Sequence, residues 1–112
     1  MEKLRSLNYL NDETFARDWA RSRAQSRGYG PNRIEQELRA KGIAPTLLRE
    51  VVGELFTDMD EAGNAQRVLT KKFKGQNLSE AKTQARAAAF LQRHGYRSHV
   101  IFGLLRYSIE ED

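Results

Sequence analysis

The chain has 112 residues, enough for one domain or two very small ones. It carries 19 Lys and Arg against 15 Asp and Glu, a net charge of +4, and it has no cysteine, which excludes disulfides and thiolate zinc sites. No apolar run approaches the roughly 20 residues of a membrane-spanning helix, and the start lacks the apolar core of a secretory signal. These features predict a soluble cytoplasmic protein.

Charge is arranged in three blocks. Residues 17–49 contain eight basic and three acidic residues, residues 50–66 contain five acidic and no basic residues, and residues 67–97 contain eight basic residues and one acidic residue. Two basic blocks on either side of an acidic one favour an anionic partner, with a solvated surface as the alternative.

Apolar residues recur at helical spacing throughout, and no stretch alternates as a strand does. Residues 1–10 are predicted to be the tail helix of a preceding, mostly missing repeat, and Asn11 or Asp12 to cap the next helix. That helix is predicted to end at Arg27–Gly28. Its apolar stripe comprises Phe15, Ala16, Trp19 and Ala20, and core packing is the favoured interpretation of Trp19.

The sequence Gly-Tyr-Gly-Pro at 28–31 interrupts the helical pattern. Proline is favoured at the first helical position, so Pro31 is predicted to open a second helix. Ile34 and Leu38 give that helix its buried side, and Gly42 is predicted to close it in the left-handed conformation. A third helix is predicted from Pro45, with an inward side of Leu47, Leu48, Val51, Val52, Leu55 and Phe56.

The same order of elements recurs after Thr57–Glu61, which is predicted to be a joint. A helix with Ala62, Ala65, Leu69 and Phe73 on one side is broken at Gly75. Asn77 or Ser79 is then predicted to cap a long helix that ends at Gly95. Ser98 is predicted to cap the last helix, whose buried residues are Val100, Ile101, Leu104 and Leu105.

A shift of 53 residues superimposes six core and cap positions of the two halves. Leu38, Gly42, Leu47, Leu48, Val51 and Val52 fall on Leu91, Gly95, Val100, Ile101, Leu104 and Leu105. This match indicates an internal three-helix repeat, whose copies should stack and share apolar faces. The predicted fold is all-α, with tandem three-helix repeats at 11–57 and 58–109 in an elongated, slightly curved body and an acidic tail at 110–112.

No catalytic residue, metal site or cofactor is predicted. His94 and His99 are five residues apart across a glycine, whereas helical metal ligands on one face are spaced by four; surface or rim positions are expected for both. Gly28-Tyr29-Gly30 lacks the later Gly and the Lys-Ser/Thr pair of phosphate-binding loops. The carboxylates have no predicted buried context that would suit acid catalysis.

Basic residues of the first block differ in their predicted duties. Arg23 should cover Trp19 with its stem. Two pairs at i, i+4, Glu35–Arg39 and Glu37–Lys41, should form along the second helix. Arg17, Arg21 and Arg33 are left without a predicted local partner.

The second basic block has almost no acidic neighbours, and this surplus is the strongest functional signal in the composition. Six of the eight cations of the block make up this surplus, namely Arg67, Lys71, Lys72, Lys74, Lys82 and Arg86. Tyr29, between two glycines, is interpreted equally as a packing residue or as a contact residue.

Residues 33–56 also fit a helix-turn-helix pattern. Its second helix would present Glu50 and Glu54 to phosphate, which disfavours base-specific reading. Non-specific DNA binding stays open as the alternative function, and a steep loss of binding with salt would reveal it.

Two stretches carry a family resemblance. L-N-D-E-T-F-A-R-D-W-A-R-S-R and the following R-G-Y-G-P-N-R-I-E-Q-E-L-R-A-K-G-I resemble the RecX family, the regulators of the RecA recombinase, and F-L-Q-R-H-G-Y-R-S-H-V-I is similar to its C-terminal unit. The resemblance spans nearly the whole chain. Typical members carry three tandem three-helix units, whereas this chain begins at the tail of the first.

The resemblance implies a non-enzymatic regulator that binds in the groove of the RecA filament on single-stranded DNA. It should bridge protomers and suppress filament growth, ATP hydrolysis and strand exchange, and so modulate recombination and DNA repair in the SOS response. A monomer without membrane contact is expected, with weak non-specific DNA contact. The partner-facing residues, predicted along one flank, are Arg17, Arg21, Arg27, Tyr29, Arg33, Arg67, Lys71, Lys72 and Arg86.

Overall fold

A computed structural model describes the backbone of residues 9–110 and the side chains of residues 12–105. The six α-helices are α1 (Tyr9–Ser22), α2 (Pro31–Ala40), α3 (Pro45–Asp58), α4 (Glu61–Lys72), α5 (Ala81–Arg93) and α6 (Ser98–Glu110). Residues 9–110 contain no strand, so the predicted all-α class is confirmed. Within the same range, no helix is long and apolar enough to cross a membrane.

The helices form two consecutive modules with the same internal packing. In the first module α1 and α2 both pack on α3, and in the second α4 and α5 both pack on α6. The body is more than twice as long as it is wide, which confirms the elongated tandem arrangement. The exact limits of 11–57 and 58–109 stay a prediction. The tail helix at 1–10 and the acidic tail at 110–112 lie mostly outside the described residues.

The predicted start of the first full helix is wrong. The chain is already helical at Tyr9, and α1 runs through Asn11 and Asp12 without the predicted cap. The predicted end is confirmed: after a π-helical turn at Arg23–Arg27, Gly28 adopts a left-handed φ of 70°. A residue with Cβ is disfavoured in that conformation, so glycine suits this end of the helix.

The core of the first module follows the predicted pattern closely. Ile34, Leu38 and Leu48 are completely buried, and Pro31 and Pro45 are the first residues of their helices. Leu55 and Phe56 are only partly buried against this core. Phe15 is the exception in the apolar stripe of α1, since 40% of its surface is exposed while Ala16 and Ala20 are buried.

The second module departs from prediction at two helix starts. Glu80 rather than Asn77 or Ser79 precedes α5, because the Asn77 side chain instead accepts hydrogen bonds from the backbone and hydroxyl of Ser79 in the loop. Ser98 is the first residue of α6 rather than its cap. On α4, Ala62 is exposed and the buried positions are Glu61, Asn64, Ala65 and Leu69.

Each module has its own hydrophobic core. The first cluster is drawn from residues 16–59 and the second from residues 65–105. The two clusters have no residue in common, so the prediction that the repeats share apolar faces is wrong. The modules meet through turns and hydrogen bonds instead.

Candidate partner-binding surface and the module junction

The Gly-Tyr-Gly-Pro sequence docks the first module onto the second. The backbone N–H of Gly30 donates to the carbonyl of His94 at 2.6 Å, and that of Asn32 donates to the carbonyl of Gly95 at 2.8 Å. These bonds join the start of α2 to the turn between α5 and α6. The first N–H groups of a helix have no partner within the helix, so the turn of the other module satisfies one at Asn32.

Three glycines allow this close approach. A Cβ on Gly95 would lie 2.2 Å from the backbone nitrogen of Arg33, and one on Gly30 would lie 2.7 Å from the backbone of Gly95. A Cβ on Gly28 would lie 2.2 Å from a methyl group of Val68. The glycines at 28 and 30 therefore serve contact between modules as well as the sharp turn of the chain.

A buried polar network crosses the junction beside these glycines. The hydroxyl of Tyr96 donates to the carbonyl of Gly28 at 2.7 Å and accepts from Asn64 Nδ2 at 2.9 Å. Asn64 Nδ2 also lies 3.3 Å from the carbonyl of Ala24, its second acceptor. Burial raises the pKa of the Tyr96 hydroxyl to about 12, and the hydrogen bond from Asn64 opposes the shift. Each of these buried bonds contributes about 0.5–1.5 kcal/mol and fixes the relative placement of the modules.

Arg33 belongs to this junction, so the prediction that it is free of local duty is wrong. Its Nη1 donates to the carbonyl of Arg93 at 3.1 Å, and its Nη2 donates to the hydroxyl of Tyr29 at 3.2 Å. The guanidinium lies 4.3 Å from the centroid of the Tyr29 ring. Tyr29 also packs edge-on against His94. Packing is thus a demonstrated role of Tyr29.

Glu37 makes contacts other than the ion pairs that were predicted along α2. It accepts from the indole nitrogen of Trp19 at 2.9 Å and lies 3.6 Å from both Arg23 and Arg33. The Nζ of Lys41 lies 4.4 Å from the centroid of the Trp19 ring, whereas the sequence predicted that Lys41 pairs with Glu37. Neither predicted pair, Glu35–Arg39 or Glu37–Lys41, is found among the ion pairs of the described side chains.

Arg23 covers the Trp19 ring as predicted, but it does so with its guanidinium, 4.0 Å from the ring centroid, rather than with its stem. Trp19 is partly buried against the core of the first module. Its indole nitrogen donates to Glu37, and the guanidinium of Arg23 lies over its ring.

Arg17 is also engaged, contrary to prediction. It donates to Glu13 at 3.1 Å and to Glu54 at 2.6 Å, and these bonds, that to Glu54 foremost, raise the pKa of its guanidinium. Arg17 and Arg21 line one cavity of about 230 Å³ between α1 and α3, together with Glu54 and Asp58. Two cations and two carboxylates face each other in this groove, so its charge is balanced.

The second group of predicted residues forms a different surface, which we call the junction cradle. Four cations, Arg27, Arg67, Lys71 and Lys72, line a cavity of about 310 Å³ where the end of α1 meets α4 and α5. The remaining lining residues are Ser26, Gly28, Val68, Phe90 and His94. No carboxylate lines the junction cradle, so its charge is strongly positive.

The nine predicted residues therefore do not share one cavity. Arg17 and Arg21 line the balanced groove, Tyr29 and Arg33 hold the junction, and four cations line the junction cradle. Arg86 on α5 lies outside all three and donates to Gln76 at 3.4 Å. That these sites act together on one partner stays a prediction.

Of the two histidines, His94 is half-buried at the rim of the junction cradle. Burial lowers the pKa of its imidazole, and the charges of Arg33, Arg93 and Lys72 act in the same direction against the hydrogen bond with the Phe90 carbonyl. His99 is exposed on α6. The predicted surface or rim positions are confirmed.

An ion pair between the buried carboxylate of Glu61 and the half-exposed guanidinium of Arg97, next to the junction, was not predicted from the sequence. Glu61 is only 6% exposed and accepts from the backbone N–H of Arg97 at 3.2 Å and from its Nε at 3.0 Å. The acidic opening of α4 was visible in the sequence, but its partner lies 36 residues away. Only a contact across the second module identifies the pair.

Comparison with known proteins agrees with this architecture module by module. The family model for the second three-helix domain of RecX matches residues 11–52, and the model for the third three-helix domain matches residues 60–105. The chain belongs to the RecX family. The match places its modules as the second and third RecX domains.

Individual RecX proteins align over most of the chain. The regulatory protein RecX of Trichlorobacter lovleyi is 32% identical over 103 residues, 90% of this chain and 67% of that protein. The RecX of Mannheimia succiniciproducens is 38% identical over 98 residues, 86% of this chain and 62% of its own length. That of Bacillus subtilis is 31% identical, covering 100% of this chain and 44% of the relative.

The chain thus spans about half to two thirds of the length of the RecX proteins it matches. No solved structure matches it. The relatives are named regulatory proteins, which agrees with a regulatory rather than an enzymatic role for the family.

Proposed function

We propose that this chain regulates RecA. It binds, as a monomer in the cytoplasm, to the RecA filament on single-stranded DNA and inhibits ATP hydrolysis, strand exchange and filament growth. Membership of the RecX family across both modules is the observation that supports this function. The chain aligns with about half to two thirds of the length of these RecX proteins, so the regulatory role of the whole relatives is a proposal for this chain.

The shape and charge of the molecule suit this role. A body more than twice as long as wide can follow a groove, and its surplus of cations favours encounter with an anionic filament. Of the predicted contact residues, we assign the largest part to those of the junction cradle, whose charges no described carboxylate neutralises, namely Arg27, Arg67, Lys71 and Lys72. Arg17, Tyr29 and Arg33 have structural duties that limit their part in contact.

The test is the ATPase rate of RecA on single-stranded DNA with increasing amounts of the purified chain. Inhibition is expected, and it should be lost when Arg27→Glu and Lys72→Glu are combined, because both charges at the cradle are reversed. Circular dichroism should show unchanged helical content, since both side chains are exposed.

The matched control combines Arg39→Glu with Arg49→Glu. These exposed residues of the first module make the same change in net charge away from the junction cradle. The control should inhibit as the unchanged chain does. Lack of inhibition by the unchanged chain would reject the proposed function, and normal inhibition by the cradle variant would reject the assigned surface.

A further inference from the structure

The junction cradle collects positive charge that the protein itself does not neutralise. Arg27, Lys71 and Lys72 have no ion pair among the described side chains, and Arg67 makes only a hydrogen bond to Asn64 Oδ1, at 2.6 Å. Four cations close together repel one another. An arrangement of this kind is stabilised when an external anion occupies it.

Local structure accounts for only part of the arrangement. Lys71 and Lys72 lie in the last turn of α4, where a cation gains about 0.3–1 kcal/mol from the helix dipole. Arg27 lies in the last turn of the π-helical segment of the other module, where the same effect applies, and it reaches the same cavity. The helix ends therefore account for each cation separately, whereas the convergence of cations from both modules on one cavity points to an anionic ligand.

The junction fixes the geometry of the cradle. Asn64, which accepts from Arg67, also bonds across the junction to the carbonyl of Ala24, three residues before Arg27. The glycine contacts and backbone bonds at Gly30 and Gly95 hold the same two modules together. The cations are therefore placed by a rigid frame rather than by flexible loops.

The composition of the cavity favours a nucleic-acid strand over a protein surface. Arg67 and Lys71 are one helical turn apart, so they present charges in a row, as a phosphate backbone requires. Half-buried Phe90 and His94 pack against each other at the same cavity, with their ring centroids 4.2 Å apart and their planes tilted by 43°. Basic side chains beside aromatic rings are the combination that binds single strands without regard to sequence.

The balanced groove provides the contrast. Glu54 and Asp58 line that cavity beside Arg17 and Arg21, and carboxylates there would repel phosphate. The two cavities are therefore chemically distinct.

We infer that the junction cradle binds the phosphodiester backbone of single-stranded nucleic acid, with Arg27, Arg67, Lys71 and Lys72 on successive phosphates and an unpaired base against the ring pair Phe90–His94. This inference deepens the proposed function, on which it rests for its setting in the filament. It assigns the DNA strand to the cradle and leaves the contacts with RecA to other surfaces.

The test is fluorescence anisotropy of a labelled oligothymidine strand titrated with the unchanged chain over a series of salt concentrations, without RecA. Binding should weaken linearly in a plot of log affinity against log salt. Lys71→Ala combined with Lys72→Ala should make the slope shallower by about 1.4, because each phosphate contact on a single strand contributes roughly 0.7.

The control combines Arg39→Ala with Arg49→Ala, which removes the same charge elsewhere and should leave the slope unchanged. A cradle variant with the slope of the unchanged chain would overturn the inference. So would failure of the unchanged chain to bind the strand at low salt.

The RecA ATPase assay separates the two proposals. If the unchanged chain binds the strand through the cradle but does not inhibit RecA, the proposed function fails and the inference stands. If the lysine variant binds the strand normally but no longer inhibits RecA, the cradle contacts RecA protein, and the inference fails while the proposed function stands.

Discussion

The turn between α2 and α3, residues 41–44, and the turn between α5 and α6, residues 94–97, are copies of one structure. In each turn three backbone N–H groups donate to the end of the preceding helix at 3.0–3.1 Å. Each has a left-handed glycine, Gly42 at φ 89° and Gly95 at φ 96°. The local fold of the two turns is therefore the same.

The two turns differ in what they contact. The carbonyls of His94 and Gly95 accept hydrogen bonds from the first module, whereas no described residue donates to the carbonyls of Lys41 and Gly42. Tyr96 and Arg97 of the later turn replace Ile43 and Ala44 of the earlier one. The Tyr96 hydroxyl makes buried hydrogen bonds, and the Arg97 guanidinium bonds to the buried carboxylate of Glu61, whereas an isoleucine and an alanine can do neither. One repeated turn becomes a docking site because its side chains and its neighbour are different.

The largest effect should come from Gly95→Ala. A Cβ there is strained by the left-handed φ, about 1–2 kcal/mol, and it also meets the backbone of Arg33, for which overpacking costs about 1–3 kcal/mol. We expect a loss of about 2–5 kcal/mol in the free energy of unfolding, measured by urea denaturation.

Gly75→Ala is the matched control for this strain, because Gly75 has φ 82° and no atom within 4 Å of its Cβ position. It should lose only the cost of the left-handed conformation, about 1–2 kcal/mol. Equal losses in the two variants would show that the junction tolerates a methyl group and that the docking is looser than described.

Arg97→Ala should have the next largest effect. It removes the guanidinium from the buried carboxylate of Glu61, and a hydrogen bond to a charged group contributes about 1.5–3 kcal/mol. A loss of this size in chemical unfolding is expected. Arg49→Ala, which removes an exposed arginine that has no ion pair among the described side chains, should change stability by less than about 0.5 kcal/mol. Similar values for both would mean that Glu61 is satisfied without Arg97.

Tyr96→Phe should have the smallest effect of the three. It removes a hydroxyl that bonds Asn64 and Gly28, at a cost of about 1–2 kcal/mol. The same variant tests the raised pKa of Tyr96. Between pH 10 and about 12 the unfolded chain loses this proton and the folded chain keeps it, so the free energy of unfolding falls as pH rises.

In Tyr96→Phe this part of the alkaline loss should be absent, and the difference between the two proteins should shrink across that pH range. A constant difference from pH 9 to pH 12 would mean that the Tyr96 hydroxyl titrates normally and is not buried at the junction.

Most of the helical pattern was predictable from the sequence because its causes are local. Proline at the start of α2 and α3, glycine at the helix ends and apolar residues at helical spacing act within a few residues of one another. The misplaced start of α5 has a local cause too. Asn77 forms a turn with Ser79 instead of capping a helix, and both arrangements satisfy the same side chain.

The candidate site was predictable only as a list of cations. Spacing along α1 and α2 could not show that Glu54 approaches Arg17 from α3, or that Arg33 reaches the carbonyl of Arg93, 60 residues away. These contacts show that Arg17 and Arg33 have partners within the chain, although the sequence predicted that both were free. The same folding brings Arg27 beside Lys71 and Lys72, which no spacing rule indicates.

The sequence by itself determined the repeat, the six helices and the family, since these depend on residue order and on short-range spacing. The tertiary structure alone decided which copy of the turn is a docking site, which cations remain unpaired and where they meet. The reason is physical: hydrogen bonds, close glycine contacts and charge neutralisation depend on distances between residues far apart in the chain. Those distances exist only once the two modules are joined.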